Sequence, residues 1–324
     1  MAAIDHSRLS RRSVLAGAAA ALAAGAVAVP ARASAESPAS PIRSAAALGD
    51  GLVALTAEGG DAASYAIRHL TVDAEQRVRL GDRLAVDLPA GFHPHSMAAR
   101  GETMWVTGAA DELVKTIAVE DGEVDLHRAR PALLRIDGAD AEFVELPVPP
   151  QIRSGVATSV ALPGARGVAV AVEGCPDTGV VMITRSHLAF SADDGGTWRH
   201  GPIVEGLGEG YGTVLAAVDG QILVVTADGA GTQTAYSGTD TALELVATQE
   251  GVGRPMAAIP TADGGVSVFS DTDGQVNESR FAEGAPVEGP SSEGCGCAGE
   301  VVTVHGRLGA WLEIDDDAVR AQGL

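Results

Sequence analysis

Three arginines, Arg43, Arg153 and Arg254, stand at the same place in three short runs, IRSAAA, IRSGVA and GRPMAA. A guanidinium is a planar fork of donors that grips a carboxylate through two parallel hydrogen bonds. Three forks converging on one point would make an anion site. The competing reading pairs each arginine with a nearby Asp or Glu, and both stay open at this stage. A second group is HPHSM, with His93, His95 and Met97, to which CGC adds Cys295 and Cys297. Imidazole, thioether and thiolate together suit copper or zinc. Alternation puts His93, His95 and Met97 on one side only if the stretch is extended. The three cysteines, Cys175, Cys295 and Cys297, are an odd number, so one disulfide plus a spare thiol is the plainer expectation.

These groups need a scaffold that brings distant segments together. No long stretch shows helical periodicity beyond the N-terminal region; short Val-, Ala-, Leu- and Thr-rich runs recur between Gly and Asp turns. A small-residue strand, a Gly turn and a β-rich strand return six times. The second strand of each copy begins at Leu52, Met104, Val168, Ile222, Val266 and Leu308. A period near 40 to 50 residues predicts an all-β chain folded as a β-propeller. Six four-stranded blades fit best; five or seven blades, or a β-sandwich, are the alternatives. The last copy has room for two or three strands, so an outer strand from the N-terminal side is expected to complete it. Strands alternate direction within a blade, so the residues leading into each first strand share one face. They are Arg43, His93 and His95, Arg153, Tyr211, Arg254, and Cys295 with Cys297. Arg43, Arg153, Arg254, His95 and Tyr211 are thus the candidate ligand-binding residues at the channel mouth.

SADDGGTW, residues 191–198, is the most distinctive turn. Asp193 is placed to accept backbone N–H groups in the Asx manner. Gly195 can take a positive φ, and Trp198 can fold back as an apolar plug. Ser191, Asp193, Gly195, Thr197 and Trp198 complete the pattern Ser-x-Asp-x-Gly-x-Thr-Trp, with degraded relatives at Thr71/Asp73 and Ser237/Asp240. This motif resembles the Asp-box of the sialidase-like (BNR-repeat) propeller superfamily, where it is structural. The resemblance extends to the first repeat. Arg43 matches the opening arginine, Glu58-Gly59 an acidic-Gly element, and Asp61 lies where an acid/base aspartate would stand. Ser44-Ala45 and Gly60 depart from the pattern. The resemblance implies a carboxylate held by three arginines and a late tyrosine nucleophile. No tyrosine follows Arg254, so Asp61 and Tyr211 are the only catalytic candidates. A non-catalytic binder of a small anionic or carbohydrate ligand is the leading expectation. A sialidase-like hydrolase is the second, and a metal- or thiol-bearing redox or sensing protein the third.

The bulk properties narrow the partners. With 22 basic against 43 acidic residues, the formal net charge is −21, which argues against nucleic acid or an anionic membrane. Residues 1–35 read as a signal peptide. Arg11-Arg12 precedes an apolar run from Val14 to Val29, with small-residue cleavage sites after Ala33 or Ala35. The arginine pair resembles a twin-arginine export signal. The run is too short and too Ala-rich to span a bilayer well. The expectation is a secreted monomer whose single domain is residues 36–324.

Overall fold

The computed structural model describes residues 42–58, 64–119, 122–152, 154–175, 185–204, 212–228, 230–282, 285–291, 300–314 and 318–324. The proposed signal peptide, Asp61, Arg153, Tyr211, Cys295 and Cys297 lie outside them. So does the segment expected to complete the last repeat.

The described chain is all-β. The first unit is β1 (Ile42–Leu48), β2 (Gly51–Glu58), β3 (Ser64–Val72) and β4 (Val78–Arg83), and the second is β5 (Phe92–Arg100), β6 (Thr103–Val119), β7 (Gly122–Asp137) and β8 (Asp140–Val144). The third holds β9 (Ser154–Ala161), β10 (Val168–Cys175), β11 (Arg185–Ser191) and β12 (Arg199–Val204). β13 (Thr213–Val218), β14 (Gln221–Ala227), β15 (Gln233–Gly238) and β16 (Leu243–Gln249) form the fourth. β17 (Arg254–Pro260), β18 (Gly265–Thr272), β19 (Gln275–Ala282) and β20 (Ala285–Ser291) form the fifth, and β21 (Glu300–His305), β22 (Trp311–Ile314) and β23 (Val319–Gln322) the last. Within every unit, successive strands pair antiparallel. The last unit joins the first through a short parallel pairing of β21 with β1, giving one seven-stranded sheet.

Apolar layers lie between consecutive units. Leu55 and Ile67 pack on Met97 and Val106, Trp105 and Leu133 on Val170 and Val172, and Phe190 on Leu215 and Val224. Val225 meets Val268 and Phe281, Phe269 meets Val301, and Leu312 meets Ala45 and Leu70. First strands touch in chain order, and β21 touches β1, so the contacts run in a closed ring. A strand with covered faces on both sides has no reason to alternate; β10 (VAVAVEGC) is buried at all eight positions. Outer strands such as β8 are largely exposed.

Small residues let the first strands approach, and their hydroxyls tie them together. Ser44 Oγ donates to Met97 O (3.3 Å) and accepts from Met97 N (2.9 Å). Thr158 Oγ1 donates to Thr213 O (3.0 Å), and Ser159 Oγ accepts from Leu215 N (3.1 Å).

The SADDGGTW turn closes on its own side chains. Asp193 accepts from Ser191 Oγ, Thr197 N and Thr197 Oγ1, each at 2.8 Å. These donors, the Thr197 amide foremost, hold the Asp193 carboxyl down at about 2. Trp198 Nε1 donates to Gly195 O (3.0 Å), and its ring meets Trp105 of the preceding unit edge-on at 6.5 Å. At Thr71/Asp73, Asp73 accepts from the amides of Glu75 (3.0 Å) and Arg77 (2.9 Å). Asp240 instead ion-pairs with Arg199.

Candidate functional site

The beginnings of first strands meet the ends of second strands at one end of a unit, as in the pairs Gly155–Gly174 and Arg254–Asp271; in the second unit His93 meets Ala109 and β6 runs on to Val119. At this end a chain of polar groups crosses three units. His95 Nδ1 bonds Thr158 O at 2.8 Å, and Thr158 Oγ1 donates to Thr213 O. Thr213 Oγ1 makes a short hydrogen bond to Glu173 Oε1 and also contacts Ser186 Oγ (2.9 Å) and Thr226 Oγ1 (3.2 Å). Ser186 Oγ also donates to Glu173 Oε1 at 3.4 Å. The Gly212 amide donates to Glu173 Oε2 at 3.3 Å. Arg254 lies across Gly212: a Cβ there would come within 3.1 Å of Arg254 Nε. Gly212, at φ +86, is glycine for both reasons.

Glu173 is the chemical centre of this arrangement. It sits near the end of the wholly buried β10 and is the one buried Asp, Glu, Lys or Arg among the described residues. Burial pushes its pKa up; the Thr213, Gly212 and Ser186 bonds and the Arg254 charge oppose that rise. The carboxyl therefore keeps its proton to a higher pH than an exposed glutamate. Two further polar atoms at this end, Ser154 Oγ and Gln233 Oε1, are buried with no hydrogen-bond partner. A buried polar atom without a partner costs stability unless another group supplies one.

The arginines divide in a telling way. Seven described arginines are half-buried: Arg43, Arg68, Arg100, Arg128, Arg135, Arg254 and Arg280. Five of them pair with carboxylates, namely Glu58, Asp194, Glu112, Asp137 and Asp263 respectively. Among the described residues, Arg43 and Arg254 have no carboxylate within 4.0 Å. Glu58, the acid of the acidic-Gly element, is held by Arg68 (2.7 Å) and Arg83 (3.6 Å) and not by Arg43.

The structure thus puts His95 at one end of this polar chain and Arg254, which acts on Glu173 by its charge alone, at the other; neither Arg254 nor Arg43 makes a hydrogen bond or ion pair with it. His93 Nε2 faces Asp111 Oδ2 at 3.3 Å instead. Met97 is fully buried among Val53, Leu55 and Val106, turned away from any ligand. A register shift between Pro94 and Ser96 breaks the alternation that would have aligned His93, His95 and Met97. Among the described residues no three His, Cys, Asp or Glu side chains are grouped to hold a metal ion. Cys175 is the buried last residue of β10. Sequence reasoning missed Glu173, Ser186 and Thr213; the available signal was a lone acid inside an otherwise apolar strand.

No protein-family model and no curated protein matches the chain. Solved structures do resemble it. A protein of unknown function from Dyadobacter fermentans matches with TM-score 0.53 at 13% identity, over 74% of this chain and 79% of that one. A Trypanosoma rangeli sialidase matches with TM-score 0.55 at 10% identity, over 86% of this chain and 52% of that one. The chain spans about half the length of that sialidase. At such identities the likeness is one of fold: small antiparallel sheets in a propeller-type, all-β arrangement.

Proposed function

We propose that this protein is an exported six-bladed propeller that binds an anionic ligand, a sugar acid by preference, at the mouth formed by its first strands. One observation carries the reading: Arg43 and Arg254 are the half-buried described arginines with no carboxylate within 4.0 Å, Arg254 acting only by its charge on the buried Glu173, in a chain where acids outnumber bases about two to one. Removing a guanidinium from water without a counter-ion is costly, and a bound anion offsets that cost. The sialidase of similar fold is described in complex with a difluoro-nononic acid, which is consistent with this ligand class. We read Ser191–Trp198 as a structural Asp-box on the opposite face. The six blades are β1–β4, β5–β8, β9–β12, β13–β16, β17–β20 and β21–β23; an experimental structure of the whole chain counts them directly.

Binding to the native state raises Tm by mass action. Sulfate or N-acetylneuraminate should therefore raise the wild-type Tm in a concentration-dependent way. The shift should shrink in Arg43→Ala and vanish in Arg254→Ala. A wild-type Tm indifferent to every anion tried removes the binding reading and leaves a structural propeller.

A second reading, glycoside hydrolysis, draws support from Glu173. A buried carboxyl with a raised pKa is the kind of group that serves as a general acid, and Tyr211 directly precedes Gly212 in sequence. Release of 4-methylumbelliferone from a sialoside by the wild type, abolished in Glu173→Gln and Tyr211→Phe, would establish it. Absence of turnover in the wild type dismisses it.

A further inference from the structure

A cavity of about 320 Å³ opens where the chain leaves β8, with Arg128, Arg130, Phe143, Glu145, Pro149 and Pro150 in its lining. Residues two apart on a strand share a face, so Arg128, Arg130 and Ala132 form one row along β7. Leu134 continues that row, and Phe143 is its partner across the strand pair. Phe143 is 43% exposed, yet Phe92 holds its ring edge-on at 5.7 Å, so an aromatic group is presented in a fixed orientation. Arg128 directs its fork at Glu112 (2.9 and 3.1 Å). Arg130 is exposed; its charge acts on the Glu112 carboxylate that Arg128 holds, but among the described residues it has no carboxylate within 4.0 Å and no hydrogen bond. Glu145, on the same lining, supplies an acceptor.

We propose that this cavity is a second ligand site, separate from the ring mouth, and that it takes a carboxylated pyranose such as a uronic acid. The three features ask for three properties in one small molecule. Arg130 asks for an anion that a guanidinium can grip in a fork. Phe143 and the two prolines ask for a flat apolar face, which the C–H face of a pyranose supplies. Glu145 asks for donors, which ring hydroxyls provide. A neutral sugar leaves Arg130 unmatched, and a simple aromatic acid brings no donor to Glu145. Because the whole molecule is strongly acidic, an anion gains nothing from the long-range field, and affinity rests on the local cation.

The test is calorimetric titration of the full chain with D-galacturonate and D-glucuronate, with methyl glucoside and benzoate as comparators. One uronate should bind about tenfold or more tightly than either comparator, a difference of about 1.4 kcal/mol. Arg130→Gln, at an exposed position, should cut that affinity at least about fivefold with an unchanged Tm; Phe143→Ala should cut it similarly, with some fall in Tm because its ring packs on Phe92. No uronate binding, equal binding of glucoside or benzoate, or unaltered affinity in Arg130→Gln overturns the proposal. Uronate binding lost in Arg254→Ala but retained in Arg130→Gln places the ligand at the ring mouth. That outcome overturns the second site while leaving the proposed function standing.

Discussion

At the scale of single residues, Glu173 decides most. Exposed glutamate titrates near pH 4.3, and burial moves the folded-state value upward. Between those two values the folded protein binds more protons than the unfolded chain. Stability is therefore full below the unfolded pKa and falls as pH rises through the folded one. Glu173→Gln removes that slope while its amide oxygen can still accept from the Gly212 amide and its NH2 can donate to the Thr213 and Ser186 hydroxyls. Urea midpoints at pH 4.5, 6.0 and 7.5 should show the variant gaining steadily on the wild type as pH rises. A constant difference across the series would mean that burial does not raise this carboxyl. Asp193 shows the opposite sign: its pKa is depressed to about 2, so its contribution is present above pH 3.8 and fades as pH falls towards 2. Both residues are acids in short Gly-containing segments. Glu173 is enclosed by β9, β11 and β13, whereas the donors to Asp193 lie within four residues of it.

At the scale of elements, that difference explains what was legible. The second strands were expected at Leu52, Met104, Val168, Ile222, Val266 and Leu308. They begin at Gly51, Thr103, Val168, Gln221, Gly265 and Trp311. Gly turns and β-rich runs are local signals, so five fall within one residue. The last is displaced because Leu308 lies in the Gly306–Gly309 turn, where both glycines take positive φ. The SADDGGTW turn also reaches beyond itself, since a Cβ on Gly195 would lie 2.4 Å from the Trp105 ring of the preceding unit. With φ at +80 as well, Gly195→Ala should lower stability by about 1–3 kcal/mol. A thermal melt with unchanged Tm would mean that the turn does not seat against Trp105.

The whole molecule is a closed circuit of contacts carrying a formal charge of −21. Closure buries both faces of each inner strand, so no unit is expected to be stable alone. A net negative charge of this size favours solubility. Export is the remaining proposal at this scale, resting on Arg11-Arg12 and the apolar run behind them. Arg11→Lys with Arg12→Lys should hold the precursor in the cytoplasm, because a receptor reads the arginine pair. Fractionation that finds the double variant outside the cell at wild-type levels would remove the twin-arginine reading.

The sequence by itself determined the all-β class, the repeat and five of the six second-strand starts, because turn residues and strand propensity act over a few neighbours. It also set out Arg43 and Arg254 as equivalent positions in different repeats. Only the tertiary structure decided which arginines have carboxylates: Arg68 meets Glu58 across β2 and β3, and Arg100 meets Asp194 from another unit. It alone enclosed Glu173 against Thr213, forty residues away, and sent Met97 into the core. Pairing and burial depend on groups far apart in the chain, and only closure of the ring brings those groups within hydrogen-bonding distance.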